Sequence, residues 1–236
     1  MIIFLGHKVS DVQLSLSESE IQHCYKTLRK RSGDQITVHD GNGSSYEAMI
    51  TDLSKKQILA DIISETQHPP LDRLHLTIAL TKSLDRIEWL VSKSVEIGVT
   101  DFTFVNCKRS EKRHYRYERM QRIIESACKQ SLKYHFPTLT EDVIPFSESL
   151  LSDSDIHSRY VASYGADNPH LSTLTTGTQS AHVLIGPEGD FTPDEVTLAV
   201  ANGYTQINLG HQRLRTETAG LYAMTLLRAA LDSQAK

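Results

Sequence analysis

The chain has no long apolar run, so no segment is expected to cross a membrane as a helix. The apolar start Met1 to Leu5 soon meets Lys8 and Asp11 and is too short for a signal peptide, so it is expected to be a first strand. Cysteine is scarce. Cys24, Cys107 and Cys128 have neither an even count nor metal-ligand spacing. A metal site is therefore not expected, and buried thiols in a reducing cytoplasm are. Positive charge is not in excess: the formal net charge is −4, with a pI near 6.2, which by itself speaks against nucleic-acid binding. Neither a Gly-x-Gly-x-x-Gly fingerprint nor a Gly-x-x-x-x-Gly-Lys-[Ser/Thr] run occurs, which disfavours nicotinamide and nucleotide-triphosphate enzymes. Internal repeats and low-complexity tracts are also missing.

What the chain does have is concentrated near its end. Val183-Leu184-Ile185 is an apolar run suited to a buried strand. Gly186 and Gly189 then bracket Pro187-Glu188, and glycine allows positive φ and close approach to the backbone. A helix start follows, with Thr192 as N-cap, Pro193 at the first position and Glu195 closing a capping box. Val196 and Ala199-Val200 give that helix an apolar face, and Gly203 ends it. A second strand, Gln206 to Leu209, leads into a loop from Gly210 to Thr216, and Ala219 to Leu231 is expected as the last helix. Two such strand-to-helix turns suit a ligand crevice at the C-terminal ends of parallel strands. The second turn carries Arg213, Arg215 and Glu217.

The chain divides by pattern at His68-Pro69-Pro70, a stiff non-helical connection. Before it, Gln35 to His39, Tyr46 to Asp52 and Gln57 to Ile63 are strand-like, with a hairpin turn at Asp40-Gly41-Asn42-Gly43. One helix interrupts them: Ser17 and Glu20 form a capping box, and Ile21, Cys24 and Leu28 share a face. A small β-barrel over residues 1–68 follows. From 71 to 236 strands and helices alternate as in a parallel α/β sheet. Leu74 to Leu80, Asp101 to Val105 and Arg159 to Ser163 are strands, Asp85 to Ile97 is a helix ended by Gly98, and Met120, Ile123, Ile124 and Ala127 mark another helix. Ser147 to Asp155 and Asn168 to Ser180 are expected as polar loops or short helices.

The densest basic run is Lys108 to Arg119, with Lys108, Arg109, Lys112, Arg113 and Arg116 and the interleaved Tyr115 and Tyr117. Such a run suits phosphates and unpaired bases, and equally suits a solvated loop and helix start. Arg29 and Arg31 form a second patch with Lys26 and Lys30. His23, beside Cys24, is expected to pack, and His211 has no assigned role.

Three blocks carry a resemblance to a known family. They are Lys82 to Val91 with Lys93 and Glu96 to Val99, then Leu184 to Phe191, then Leu209-Gly210 with Arg213 to Ala219; a weaker match lies at His23, Leu28-Arg29, Gly33-Asp34 and Asp40-Gly41. Over these residues the chain resembles the SPOUT methyltransferases, α/β proteins with a deep trefoil knot, and within them the RsmE family of 16S rRNA uracil-N3 methyltransferases. The resemblance implies a PUA-like RNA-binding barrel ahead of the knotted domain. It also implies S-adenosylmethionine held by main-chain groups of the loops. On this chain those match Leu184, Ile185, Gly186, Pro187, Glu188, Gly189, Leu209, Gly210, Leu214, Thr216, Thr218 and Ala219, with Ser163 on a third loop from Ala162 to Gly165. Asp190 departs from the pattern, standing where the family commonly has a second glycine, and Lys129 to Lys133 replaces a commoner Glu-Gln-Ser-Gly-Arg.

The implied partners are the 16S rRNA in the assembled small ribosomal subunit, near the decoding region, and a second copy of the chain. Ala219, Gly220, Ala223, Leu226 and Leu227 serve either a dimer interface or an intramolecular core. In such a reaction negative charge spreads onto O2 and O4 as uracil N3 loses its proton. Arginine is suited to stabilise it, and Arg215, then Arg213, are the candidates. Glu217 would orient an arginine, relay the proton through water, or serve only the helix N-terminus. Methylation of another RNA atom (a ribose 2′-hydroxyl or a tRNA base) and a non-catalytic RNA-binding factor are the other readings.

Overall fold

The computed structural model describes residues 2–151, 155–165 and 167–234, so Met1 of the expected first strand and residues 152–154 of the expected polar loop lie outside it. The chain forms two compact units, Met1–Pro70 with Cys128–Phe136, and Leu71–Ala127 with Pro137–Lys236.

The first unit is built from β1 (Ile3–Ser10), β2 (Gln13–Leu16), α1 (Glu18–Gln22), β3 (Gln35–His39), β4 (Ser44–Leu53) and β5 (Ile58–Gln67). The strands close into a barrel in the order β1-β2-β5-β4-β3, and the parallel β1/β3 pair completes the ring. Closure leaves no open sheet edge. Phe4, Leu14, Val38, Ile50 and Ile58 fill the interior. Each such side chain contributes roughly 1.5–3 kcal/mol by leaving water. Asp40 builds the β3–β4 turn as expected, its Oδ1 accepting the Asn42 and Ser44 N–H groups at 2.8 and 3.0 Å.

Two expectations fail in this unit. Ser17 is the N-cap of α1 but makes no side-chain cap bond. Its own N–H, which Glu20 would have to meet, donates instead to the Leu5 carbonyl at 2.9 Å. Glu20 turns inward, 1% exposed, and pairs with Lys129. The second difference concerns residues 128–136, which the sequence division put with the second domain. They join the first unit because its backbone takes them up: Gly43 N–H bonds the Tyr134 carbonyl at 2.9 Å and Phe136 N–H the Gly41 carbonyl at 2.8 Å. Helix α1 also runs on into a π-helical turn, His23–Thr27, which places Cys24 in the core and leaves His23 exposed at the surface.

The second unit comprises β6 (Leu74–Ala79), α2 (Leu84–Glu96), β7 (Asp101–Asn106), α3 (Tyr117–Ser131, its last turn counted with the first unit), β8 (Thr138–Leu139) and β9 (Ile144–Pro145). It continues through α4 (Phe146–Ser149), β10 (Ser158–Ala162), β11 (Ala181–Ile185), α5 (Pro193–Ala201), β12 (Thr205–Ile207) and α6 (Thr216–Gln234). The sheet is parallel in the order β12-β10-β11-β6-β7-β8, with β9 beside β7. β6 and β11 are buried at every position, as strands covered on both faces should be. Their buried polar groups are matched: His182 Nε2 lies 2.7 Å from Thr77 Oγ1 and its Nδ1 3.0 Å from Tyr204 Oη, while His75 Nε2 lies 2.9 Å from Thr103 Oγ1. α2 buries Ile87, Leu90, Val91 and Val95 as expected, and Gly98 follows it at φ +90°.

α5 carries the full capping box at Thr192 and Glu195. Val200, expected on its apolar face, is 47% exposed, because Ala199 and Val196 take the inward positions. α6 begins at Thr216, three residues earlier than expected, which places Glu217 and Thr218 in its first turn. Gly220, Ala223 and Leu227 face inward: Gly220 meets Ile78 and Leu90, and the other two are fully buried. That stripe is intramolecular core, so the dimer alternative for these three residues is overturned.

Candidate active site

The loops after β10, β11 and β12 converge on one cavity of about 720 Å³ at the C-terminal edge of the sheet. This is where parallel α/β sheets bind ligands, and the volume lies within the range of small-molecule sites. β11 lies between β10 and β6 in the sheet, so the three loops come from adjacent or next-adjacent strands although the segments between them are long.

The first loop contributes Ala162, Ser163 and Tyr164. Ser163 Oγ accepts hydrogen bonds from Gln206 Nε2 at 2.8 Å and Asn168 Nδ2 at 3.2 Å, which fixes the loop. The second contributes Ile185, Gly186, Pro187, Glu188, Gly189 and Asp190. Gly186 and Gly189 do not use the left-handed region; the residue that does is Asp190, at φ 62°. Glycine is needed at 186 for close approach instead, since a Cβ there would meet Phe191 N at 3.0 Å. The third contributes Asn208, Leu209, Gly210, Gln212, Arg213, Leu214, Arg215 and Thr216. Gly210 N–H donates to Asn208 Oδ1 at 2.9 Å, and Gly210 takes φ +104°. Ala219 on α6 and Arg86 on α2 complete the lining.

Most of the expected ligand loop residues therefore meet in one place, but two do not. Leu184 is fully buried in the core cluster with Phe191 and Ala199, so its side chain is absent from the lining. Thr218 is exposed on α6, because Thr216 and Ala219, three apart on the helix, take the cavity-facing positions. Arg213 and Arg215 line the cavity, are exposed, and form no ion pair among the described residues. Glu217 lies behind the lining and is 7% exposed. Its Oε1 is 3.8 Å from Arg86 Nε, and its Oε2 has no hydrogen-bond partner among the described residues. The arginine it faces is Arg86, whose side chain the sequence reading did not single out. Asn208 and Gln212 were likewise not named for the lining, whereas Tyr164 lies on the expected third loop and Asp190 was expected to bring a negative charge close to a cationic cofactor.

The basic run divides by function. Arg109 Nη1 donates to the Gly189 carbonyl at 2.6 Å and its stem lies against Gly189, so this arginine braces the second cavity loop. Lys108 N–H bonds Glu195 Oε1 at 2.8 Å. Tyr115 is not free to stack on a base: its ring packs edge-on to Phe104, its hydroxyl bonds the Thr140 carbonyl, and burial pushes its pKa up. Lys112 is half-buried, while Arg113 and Arg116 are exposed. In the first unit Arg29 and Arg31 are exposed, Arg29 at φ 51° just past the π-helical turn. His211 is exposed. All three cysteines are buried and none is in a disulfide, and burial raises Cys107 to about 12. Among the described residues no group of three His, Cys, Asp or Glu side chains could hold a metal.

Residues 67–228 match the family model described as the RNA methyltransferase domain. The chain belongs to this RNA methyltransferase family. Residues 16–63 match a second family model, the RNA methyltransferase PUA domain, which fits the barrel of the first unit. Among solved structures, the chain is similar to a probable rRNA-methyltransferase from Porphyromonas gingivalis, with 33% identity, a TM-score of 0.91 and full coverage of both chains. It is also similar to ribosomal RNA small subunit methyltransferase E from Neisseria gonorrhoeae, solved bound to S-adenosylmethionine, with 28% identity, a TM-score of 0.85 and 97% of each chain covered. Methyltransferase E of Bacillus subtilis is 27% identical over 90% of this chain and 88% of its own length. The expected architecture, a PUA-like barrel with a parallel SPOUT domain, is the one observed in this family member.

Proposed function

We propose that this chain transfers a methyl group from S-adenosylmethionine to N3 of a specific uridine in the small-subunit rRNA. The carrying observation is the cavity itself: three loops at the ends of β10, β11 and β12 enclose it, and two unpaired arginines stand on its rim. Full-length similarity to small subunit methyltransferase E proteins supports the RNA target.

The residues present fit the donor. Ile185, Leu209, Leu214 and Ala219 give an apolar surface for an adenine ring, and the loop main chain offers hydrogen-bonding edges around it. Asp190 supplies a carboxylate suited to a cationic ligand. When bound, the sulfonium donor supplies an already activated methyl group.

The chain's own part is alignment and charge. Holding the uracil and the donor in register can contribute about 7–11 kcal/mol where the geometry is near-attack. Arg215 donates to the uracil oxygens that gain negative charge as N3 loses its proton, and Arg213 supports it. Glu217 keeps the Arg86 guanidinium in place from behind the lining. N3 lies on the Watson–Crick edge, so the target is unpaired or flipped out when it enters. Arg113, Arg116 and Lys112 in the second unit, and Arg29 and Arg31 in the barrel, neutralise phosphates. The working form is a homodimer in the cytoplasm, acting on the assembled subunit.

The test is transfer of labelled methyl from S-adenosylmethionine to small subunits lacking the native modification, compared with naked rRNA, followed by nucleoside mass spectrometry. Label recovered as 3-methyluridine from subunits is expected. Label on another nucleoside or on ribose would overturn the assignment of N3.

A further inference from the structure

Asp190 is the non-glycine residue of the cavity lining held in the left-handed region, at φ 62°. Aspartate tolerates that region better than most side chains, though less well than glycine. What holds it there is its carboxylate. Oδ1 accepts the Phe191 N–H at 2.8 Å, and Oδ2 accepts the Tyr164 N–H at 3.1 Å. The second bond ties the loop after β10 to the loop after β11.

Both donors are neutral backbone groups, and among the described residues Asp190 has no ion-pair partner. Its charge therefore remains uncompensated at the cavity wall. The other charged lining groups are accounted for differently. Arg86 faces Glu217, Glu188 Oε1 takes the Lys82 N–H at 3.0 Å, and Arg213 and Arg215 belong to the last loop. The nearby Arg109 guanidinium is turned to the Gly189 and Phe191 carbonyls.

We infer that Asp190 sets a preference for a cationic ligand over its neutral counterpart in this cavity. Resting on the reading above, the two are the sulfonium donor and the thioether left after transfer. As N3 gives up its proton to water, the C–S bond breaks and the methyl bonds to N3; the sulfur keeps the bond's electron pair and loses its positive charge, and the attraction to Asp190 is lost with it. Asp190 thus promotes product release as well as donor capture, while its Tyr164 bond keeps the loop in place.

Isothermal titration of the full chain with S-adenosylmethionine, S-adenosylhomocysteine and the amine isostere sinefungin tests this. Asp190→Asn keeps an acceptor oxygen and removes the charge. It is expected to weaken the two cationic ligands on the order of tenfold, the scale of one charge interaction in a partly screened site, and to leave the thioether within about twofold. Asp190→Gly relieves the backbone and removes both charge and tie, so it should show the same lost preference with weaker binding of all three. If both variants keep the wild-type ratio of donor to thioether affinity, the inference is overturned. If the wild-type chain binds none of the three, the donor reading itself fails, which is a different result.

Discussion

Arg215 and Arg109 are both exposed arginines in basic stretches, and only their contacts tell them apart. Arg109 is committed to the Gly189 carbonyl, whereas Arg215 has no ion-pair partner and stands on the cavity. Arg215→Ala is therefore expected to lower methyl transfer by about 10²- to 10³-fold, as removing one charge-stabilising donor does, with cofactor affinity nearly unchanged. Single-turnover transfer beside a binding titration checks it; normal turnover would remove Arg215 from the role. His39 shows the same dependence on surroundings. It is buried in the barrel unit, both ring nitrogens lack hydrogen-bond partners among the described residues, and burial lowers its pKa from 6.5 to about 4. The folded state thus favours the neutral ring, so stability is full above pH 6.5 and is lost as pH falls toward 4. Between about pH 7 and pH 5 the first unit should lose on the order of 2 kcal/mol, and His39→Phe should flatten that loss in thermal melts. Glycines and arginines near a strand end marked a candidate ligand site in the sequence, and they line one cavity. Which arginine braces and which is free was not legible there, because contacts 80 residues apart decide it.

At the scale of elements, local chemistry predicts a helix start only when the backbone leaves the partner groups available. Thr192 and Glu195 complete their box around α5; Ser17 and Glu20 have the same residue pattern but cannot, since Leu5 already holds the Ser17 N–H. Thr192→Ala should cost about 0.5–2 kcal/mol, and Ser17→Ala close to nothing, by urea unfolding. Equal losses would show that the cap bonds are not what distinguishes the two. The long strands and α2 were plain from alternation and apolar spacing. The two-residue strands β8 and β9 and the four-residue β2 carry too few positions to show a period, and α6 starts early because the polar Thr216 and Glu217 begin it. Val200 fell on the wrong side because α5 turns only a narrow face inward, with Ala199 buried and Val196 partly buried, and Val200 lies outside it.

At the scale of the molecule, an overall charge of −4 coexists with a basic run at Lys108 to Arg119, the stretch proposed above to meet phosphates. Replacing Lys112, Arg113 and Arg116 with alanine together should weaken RNA binding and reduce the slope of log affinity against log salt by about 2, leaving cofactor affinity alone. An unchanged slope would move the RNA contacts elsewhere. Two domains were legible from the change in periodicity near His68. The transfer of residues 128–136 to the first unit was not, since it rests on backbone pairing of Gly43 and Gly41 with Tyr134 and Phe136.

The position of β11 has a consequence for how the chain comes to be folded during synthesis. β11 fills the slot between β10 and β6, and its pairing with β6 joins residues 107 apart, as at Leu76 and Val183. Pairing over such separations closes slowly, and the last cavity loop and α6 leave the ribosome after every other strand. A nascent chain arrested before Thr216 is therefore expected to hold a folded barrel yet to pass through a column of immobilised S-adenosylhomocysteine, while the completed chain is retained. Competence for the donor arrives last, so an unfinished copy cannot sequester it.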